Sequence, residues 1–287
     1  MPPLIGDNNS GDGVRGTSND GGAGVRGIAL GANHFGVIGE SQLSGAGAVG
    51  IAASGDGVQG TSNDGGAGVR GIALGANHFG VIGESRRSGA GVVGTTESGD
   101  GVRGTSTDGG AGVRGVSHAE NHAGVVGENT AGGAAALFFG NVSVTGDIFL
   151  TGADCAEDFD LADPATTVPG AVMVLDDDGK LRPCSVPYDR KVAGVVSGAG
   201  GYRPGVVLDK QGSRSDRMPI ALVGKAYCNV DAGFAPIGIG DLLTTSLTPG
   251  HAMRADDPAK SFGAVIGKAL RPLPAGQALI PILIALQ

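Results

Sequence analysis

The chain has no tryptophan and three tyrosines, and aromatics make up only 4% of its 287 residues. A core built on large aromatic anchors is therefore excluded over most of its length. Cysteine is scarce: Cys155, Cys184 and Cys228 are an odd number, all in the second half. That is not a disulfide framework, although Cys184 and Cys228 could pair. Lys/Arg-rich runs are missing and the formal net charge is −8, which argues against a nucleic-acid partner. No run approaches the ~18 apolar residues of a membrane-spanning helix. The opening MPPLIGDNNSGDG has neither the basic nor the apolar region of a secretory leader. Lysis or a dedicated machine is the expected route to the outside.

Glycine is what the chain has in excess. Of 57 glycines, 39 precede residue 141, so the composition breaks there and two domains are expected. The glycines lack the every-third spacing of collagen. They alternate with Val, Ile and Ala, which also argues against disorder. Thr17 to Ser41 recurs letter for letter as Thr61 to Ser85, a period of 61 − 17 = 44 residues, and a looser third copy begins at Ser98. Such a period marks a stacked, quasi-one-dimensional architecture.

A finer beat lies inside it. A Gly-Val-x-Gly tetrad or close variant starts at Gly13, Gly24, Gly36, Gly47, Gly57, Gly68, Gly80, Gly91, Gly101, Gly112 and Gly124. Each unit reads as one short strand plus a turn, with Val inward and glycines allowing corners and close backbone approach. Strands this short need stacking. Either successive coils of one chain form a β-helix, or three chains intertwine as a shaft. The thin Val and Ala column favours the trimer, and closed rotational symmetry is usual for such assemblies.

Polar residues recur at the same period: Arg26, Arg70 and Arg114; Glu40, Glu84 and Glu128; Asp12, Asp56 and Asp100; His34, His78 and His122. A catalytic site does not repeat on every coil, so these read as exposed rungs and turn-capping groups. Histidines on a threefold axis could hold a metal, but they sit in turns, and neither a metal nor a cofactor is expected. A unique carboxylate pair for cutting glycans is not visible in the repeats.

The beat decays at AGGAAALFFGNVSVTGDIFLTGADCAEDFD, where Phe138, Phe139 and Phe149 are expected to plug the end of the shaft. Asp154, Glu157, Asp158 and Asp160 then crowd together. Crowded carboxylates raise one another's pKa and can create an acid/base pair, though an acidic turn at a domain boundary is the plainer reading.

The stretch GADCAEDF resembles the Gly-Ala-Asp-Tyr-Ala-Glu-x-Phe motif that opens the intramolecular-chaperone autoprocessing domain of phage neck and tail appendages, a glutamic-type self-cleaving family. PGAVMVLDDDGKL, VAGVVSG, PIALVGKAYCNV, GDLLTTS and FGAVIGKAL resemble further pieces of that domain, in order, over about residues 147–287. The resemblance implies a trimeric domain that sets the register of three chains and then cuts itself off. The scissile bond would be Ala153-Asp154, with Asp154 and Glu157 as working carboxylates. Cys155 stands where the family commonly has Tyr, and Ala153 where it has Ser.

The remainder reads as strands: a hairpin AVMVLDDDGKLRPC around its DDDG turn, then KVAGVVSG, PGVVLD, RMPIALVGKAYCNV, DLLTTS, AVIGKAL and a very apolar ALIPILIAL that must be buried. DDPAKSF has the makings of one helical turn. The expected organisation is an all-β chain with a tail over 1–9, a repeat shaft over 10–140, a β-prism-like junction over 141–153 and a chaperone-like domain over 154–287. The expected role is a homotrimeric fibre or spike of a phage tail or phage-like contractile injection system, on a virion tail or extracellular particle. Other tail, baseplate or filament proteins are its expected partners. A receptor protein that binds or cuts host surface glycans and a bacterial surface filament are the alternatives.

Overall fold

A computed structural model of the chain describes residues 16–18, 23, 25–30, 35–41, 46–63, 66–74, 78–211 and 214–286. Asp12, His34, Gly13 and Gly24 lie outside the described residues. Two compact units are present, Met1–Val126 and Gly127–Gln287.

In the first unit the repeat glycines are used for close approach. The last glycine of one tetrad abuts the first glycine of the next: Gly27 with Gly36, Gly39 with Gly47, Gly50 with Gly57, Gly60 with Gly68, Gly71 with Gly80, and so on to Gly115 with Gly124. A Cβ added to Gly36 would meet the Gly27 carbonyl oxygen at 2.8 Å, and one added to Gly80 would meet that of Gly71 at 2.8 Å. Each intervening loop is thus closed at its base by two backbones that touch, a spacing only glycine permits. The tetrad valine leans over the same contact, with Val81 Cγ2 2.6 Å from where a Cβ on Gly71 would stand.

Among the described residues the expected inward-facing valine column is not formed. Among the described residues none before Asp154 is in a strand, and the tetrad valines are about two-thirds to three-quarters exposed, as at Val69 (66%) and Val81 (69%). Among the described residues of this unit no second apolar surface is set against these side chains.

The second unit carries the core. Its residues before Asp154 form no strand, all of them but the half-buried Gly152 and Ala153 are exposed, and Phe138, Phe139 and Phe149 plug nothing among the described residues. Among the described residues from Asp154 onward there are ten strands: β1 Asp154–Asp160, β2 Val172–Leu175, β3 Leu181–Pro183, β4 Val192–Val196, β5 Pro204–Leu208, β6 Arg217–Asp231, β7 Leu242–Thr245, β8 Ala252–Arg254, β9 Val265–Ala269 and β10 Gln277–Ala285. Helix is confined, among the described residues, to a 3-10 turn over Pro164–Thr166 and the single turn α1, Pro258–Ser261. Each has an aspartate N-cap, Asp163 and Asp257, followed by proline at the first helical position. The chain is all-β.

Strand β6 is the spine. Its second half pairs with β10, and the order β10-β9-β7-β8 returns to β6, so five strands close on themselves. Its first half pairs with β1 and β4, and β4 leads on to the β2–β3 hairpin. The core cluster joins Val172, Val174 and Val195 to Cys228, Val230, Leu243, Ile266 and Ile282, and a smaller cluster forms around Met173, Leu181 and Ile220. Strand β10 alternates as the sequence requires: Ile280, Ile282 and Ile284 are buried, while Leu279 and Leu283 face outward. Cys184 and Cys228 are free thiols inside the same core, and burial pushes both up from the usual thiol range. Ile282 is fully buried opposite Ala226 and Ala269, small neighbours that cannot collapse into a gap. Ile282→Ala should cost about 2–5 kcal/mol of domain stability, read as a lower denaturant midpoint at unchanged slope.

Candidate functional site

The GADCAEDF stretch becomes strand β1 rather than an acidic turn. It lies between β5, to which it runs parallel, and the first half of β6, to which it runs antiparallel. Both neighbours absorb an extra residue beside its start, at Gly205 in β5 and Leu222 in β6. Such bulges locally re-aim side chains.

The Ala153-Asp154 bond is held from both sides. The Ala153 amide donates to the Arg203 carbonyl at 2.8 Å, and the Ala153 carbonyl accepts from the Lys225 amide at 3.0 Å. Gly224 makes room for it. Its φ is +109°, and a Cβ there would come within 2.6 Å of the Ala153 oxygen and 2.9 Å of the Asp154 Cα. Only glycine takes that backbone conformation in that space without strain. The preceding Gly152 packs its backbone on Gly205 in the same way.

The four crowded acids are dispersed by the strand. Alternation puts Asp154, Ala156 and Asp158 on the buried side, with Asp154 at 6% and Asp158 at 8% exposure. Cys155, Glu157 and Phe159 form the opposite, half-buried row. Asp154 and Glu157 therefore lie on opposite faces of β1 and are not brought together within one chain. Asp154 accepts from the Ser197 hydroxyl at 2.7 and 3.0 Å on its two carboxylate oxygens. Burial raises the Asp154 pKa above the ordinary carboxylate value, and the Ser197 donor opposes that shift.

Asp160 belongs to a separate ionic cluster. Arg217 Nε lies 2.9 Å from Asp160 Oδ1, a charge pairing without the alignment of a hydrogen bond. The same guanidinium donates to the Asp158 carbonyl at 2.6 Å and to the Asp209 carboxylate at 2.6 Å. Arg214 pairs with Asp160 at 3.1 Å and with Asp216. These arginines tie β1, β6 and the loop after β5 together. Arg217 holds Asp209, and Arg214 holds Asp216, below the usual carboxylate range.

Sequence reasoning did not find Ser197, Gly224 or Arg217. Ser197 is 43 residues from Asp154 in the chain, and no local spacing connects them. The positive-φ glycine inside the otherwise strand-forming LVGKAY run was the one visible signal. Among the described residues no group of three His, Cys, Asp or Glu side chains could hold a metal ion, and no helix is long and apolar enough to cross a membrane. His78 and His122 are exposed.

The fold and the site define the class as an all-β protein in which a glycine-closed repeat accompanies a β-barrel-like domain opening on a half-buried Ala-Asp bond. No family model and no curated protein matches the chain. Among solved structures it is similar to pre-mature bacteriophage phi29 gene product 12, at 15% identity and TM-score 0.37, over 51% of this chain and 23% of that one. The chain thus spans about a quarter of that protein's length. A C-terminal fragment of phi29 gene product 12 is similar over 46% of this chain and 100% of its own, at 15% identity and TM-score 0.30. The N base of phi29 head fibre gp8.5 is similar over 46% of this chain and 90% of its own, at 18% identity and TM-score 0.23. At these scores the likeness is loose.

Proposed function

We propose that this chain is a structural fibre or spike subunit of a phage tail or phage-like contractile injection system, working as a homotrimer. The observation that carries the reading is the row of exposed tetrad valines on a repeat whose loops are closed by paired glycine backbones. A row repeated at every unit, with nothing in its own chain to cover it, calls for a partner of the same period. Another copy of this chain supplies that period. Two further copies give each row two neighbours around a common axis. Burial of a valine stabilises by about 1.5 kcal/mol or more, so many weak rungs add to a stable shaft.

In the same reading residues 154–287 act as the chaperone that sets register, and the bond before Asp154 is cut, with Asp154 and Glu157 as the working carboxylates. The motif resemblance and the double-sided grip on Ala153-Asp154 support this. Native and denatured mass spectra of one sample test it. A native mass of three times 28.0 kDa is expected, with denatured chains splitting at Ala153-Asp154 after maturation. A monomer would overturn the shaft. A trimer of whole chains at every age would overturn the cut alone.

A further inference from the structure

We propose that the open edge of β5 is a docking site for a strand donated by a second copy of this chain, and that the donated strand lies in residues 141–150, just before β1. The inference rests on the homotrimer reading above and names the segment that joins neighbouring copies.

Strand β5 pairs with β1 along one edge, and among the described residues no strand covers the other. Alternate amides and carbonyls of a strand point away from its neighbour, so the second edge presents a row of donors and acceptors to any chain that can lie beside it. Edges meant for solvent are usually guarded by charge, proline or a bulge. The run PGVVL carries no charge, and its proline and its bulge are confined to the first two residues, Pro204 and Gly205. Beyond them Val206 and Leu208 are 37% and 48% exposed.

The segment before β1 is the counterpart. In NVSVTGDIFL, Val142 alternates with Val144 and Ile148 with Leu150, the period of a strand with one apolar side. Residues 141–152 nevertheless form no strand and, among the described residues, no backbone hydrogen bond. Those four side chains are between 50% and 66% exposed. In its own chain the segment runs into β1 where Gly152 packs on Gly205, and it stays exposed there rather than folding back along β5. Charge matches as well. Asp147 is the only charged residue between residues 135 and 153, and Arg203 and Lys210 bracket β5. The nearby acid, Asp209, is already taken by Arg217. A second copy is the occupant because each chain offers one edge and one segment. Around a closed ring every edge is filled and every segment is used, so pairing ends with the ring.

The test co-expresses two full-length chains with different tags. One carries Val142→Cys, Val144→Cys, Ile148→Cys or Leu150→Cys, and the other Val206→Cys or Leu208→Cys. Mild oxidation should give a disulfide-linked species that bears both tags. Unsubstituted partner chains serve as the control for the half-buried Cys155. Hydrogen exchange on the unsubstituted protein stands beside this, since it needs no variant to fold. The amides of residues 142–150 should exchange about a hundredfold more slowly in the assembled protein than in unstructured chain of the same sequence. Trimers that show neither a link nor slowed exchange would overturn the docking. Slowed exchange with no link to β5 would place the partner of the segment elsewhere and overturn the assignment to this edge. A link that forms only inside one doubly substituted chain would make the donor the chain itself and overturn the second copy. A native mass of a single chain would remove the homotrimer reading, and this inference with it.

Discussion

Gly71→Ala should unfold the repeat segment at a markedly lower temperature than wild type. A methyl at Gly71 falls 2.6 Å from the Gly80 carbonyl carbon and 2.6 Å from Val81 Cγ2. The backbone at the base of the loop has to part, because neither a carbonyl nor a short β-branched side chain can swing away. Overpacking of this kind costs about 1–3 kcal/mol at one site. In a trimer the substitution occurs three times at the same height. Gly55→Ala is the matched comparison. Gly55 has φ +81° and nothing within 4 Å of an added Cβ, so its cost is the left-handed backbone alone, about 1 kcal/mol. Thermal melts with protease digestion of the segment before Gly127 separate the two. A Gly71→Ala chain that melts no lower than Gly55→Ala would show that the glycine contacts do not hold the repeat together.

Deleting residues 155–287 should leave repeat chains that aggregate or associate out of register. The exact repetition of Thr17–Ser41 as Thr61–Ser85 makes a slip of one period nearly free of cost in side-chain contacts. The exposed valines make association unavoidable whether or not the register is right. The domain that folds around β6 has a core of its own, built from contacts that occur once each, and on the proposed reading it is this domain that sets the register. Sedimentation and protease resistance of the truncated chain are the readouts. Soluble, protease-resistant trimers from the truncated chain would mean that the repeats find their register unaided.

The hairpin around Asp176–Gly179 was legible because its signals are local. Strong strand formers flank a short acidic turn that ends in glycine, and the structure pairs Val174 with Arg182 and Leu175 with Leu181. The helical turn at Pro258–Ser261 was legible for the same reason, from its Asp-Pro start. β8 was missed because three residues, Ala252–Arg254, carry no periodic pattern. β1 was read as an acidic turn because its charge outweighed its alternation. Two neighbours, β5 and β6, had to be present before its inward carboxylates had anywhere to go.

The sequence by itself determined the period of the repeat, the need for glycine at both ends of each tetrad and the all-β character. All of these depend on spacing along the chain, which backbone geometry converts directly into structure. Only the tertiary structure decided that Asp154 meets Ser197, that Asp160 is taken by Arg217, and that Glu157 faces the other way. Those pairings join residues tens of positions apart, through register shifts at Gly205 and Leu222 that no local pattern encodes. The same distinction applies to the valines: the sequence marks them as apolar rungs, and the structure shows that the described part of the chain leaves them exposed.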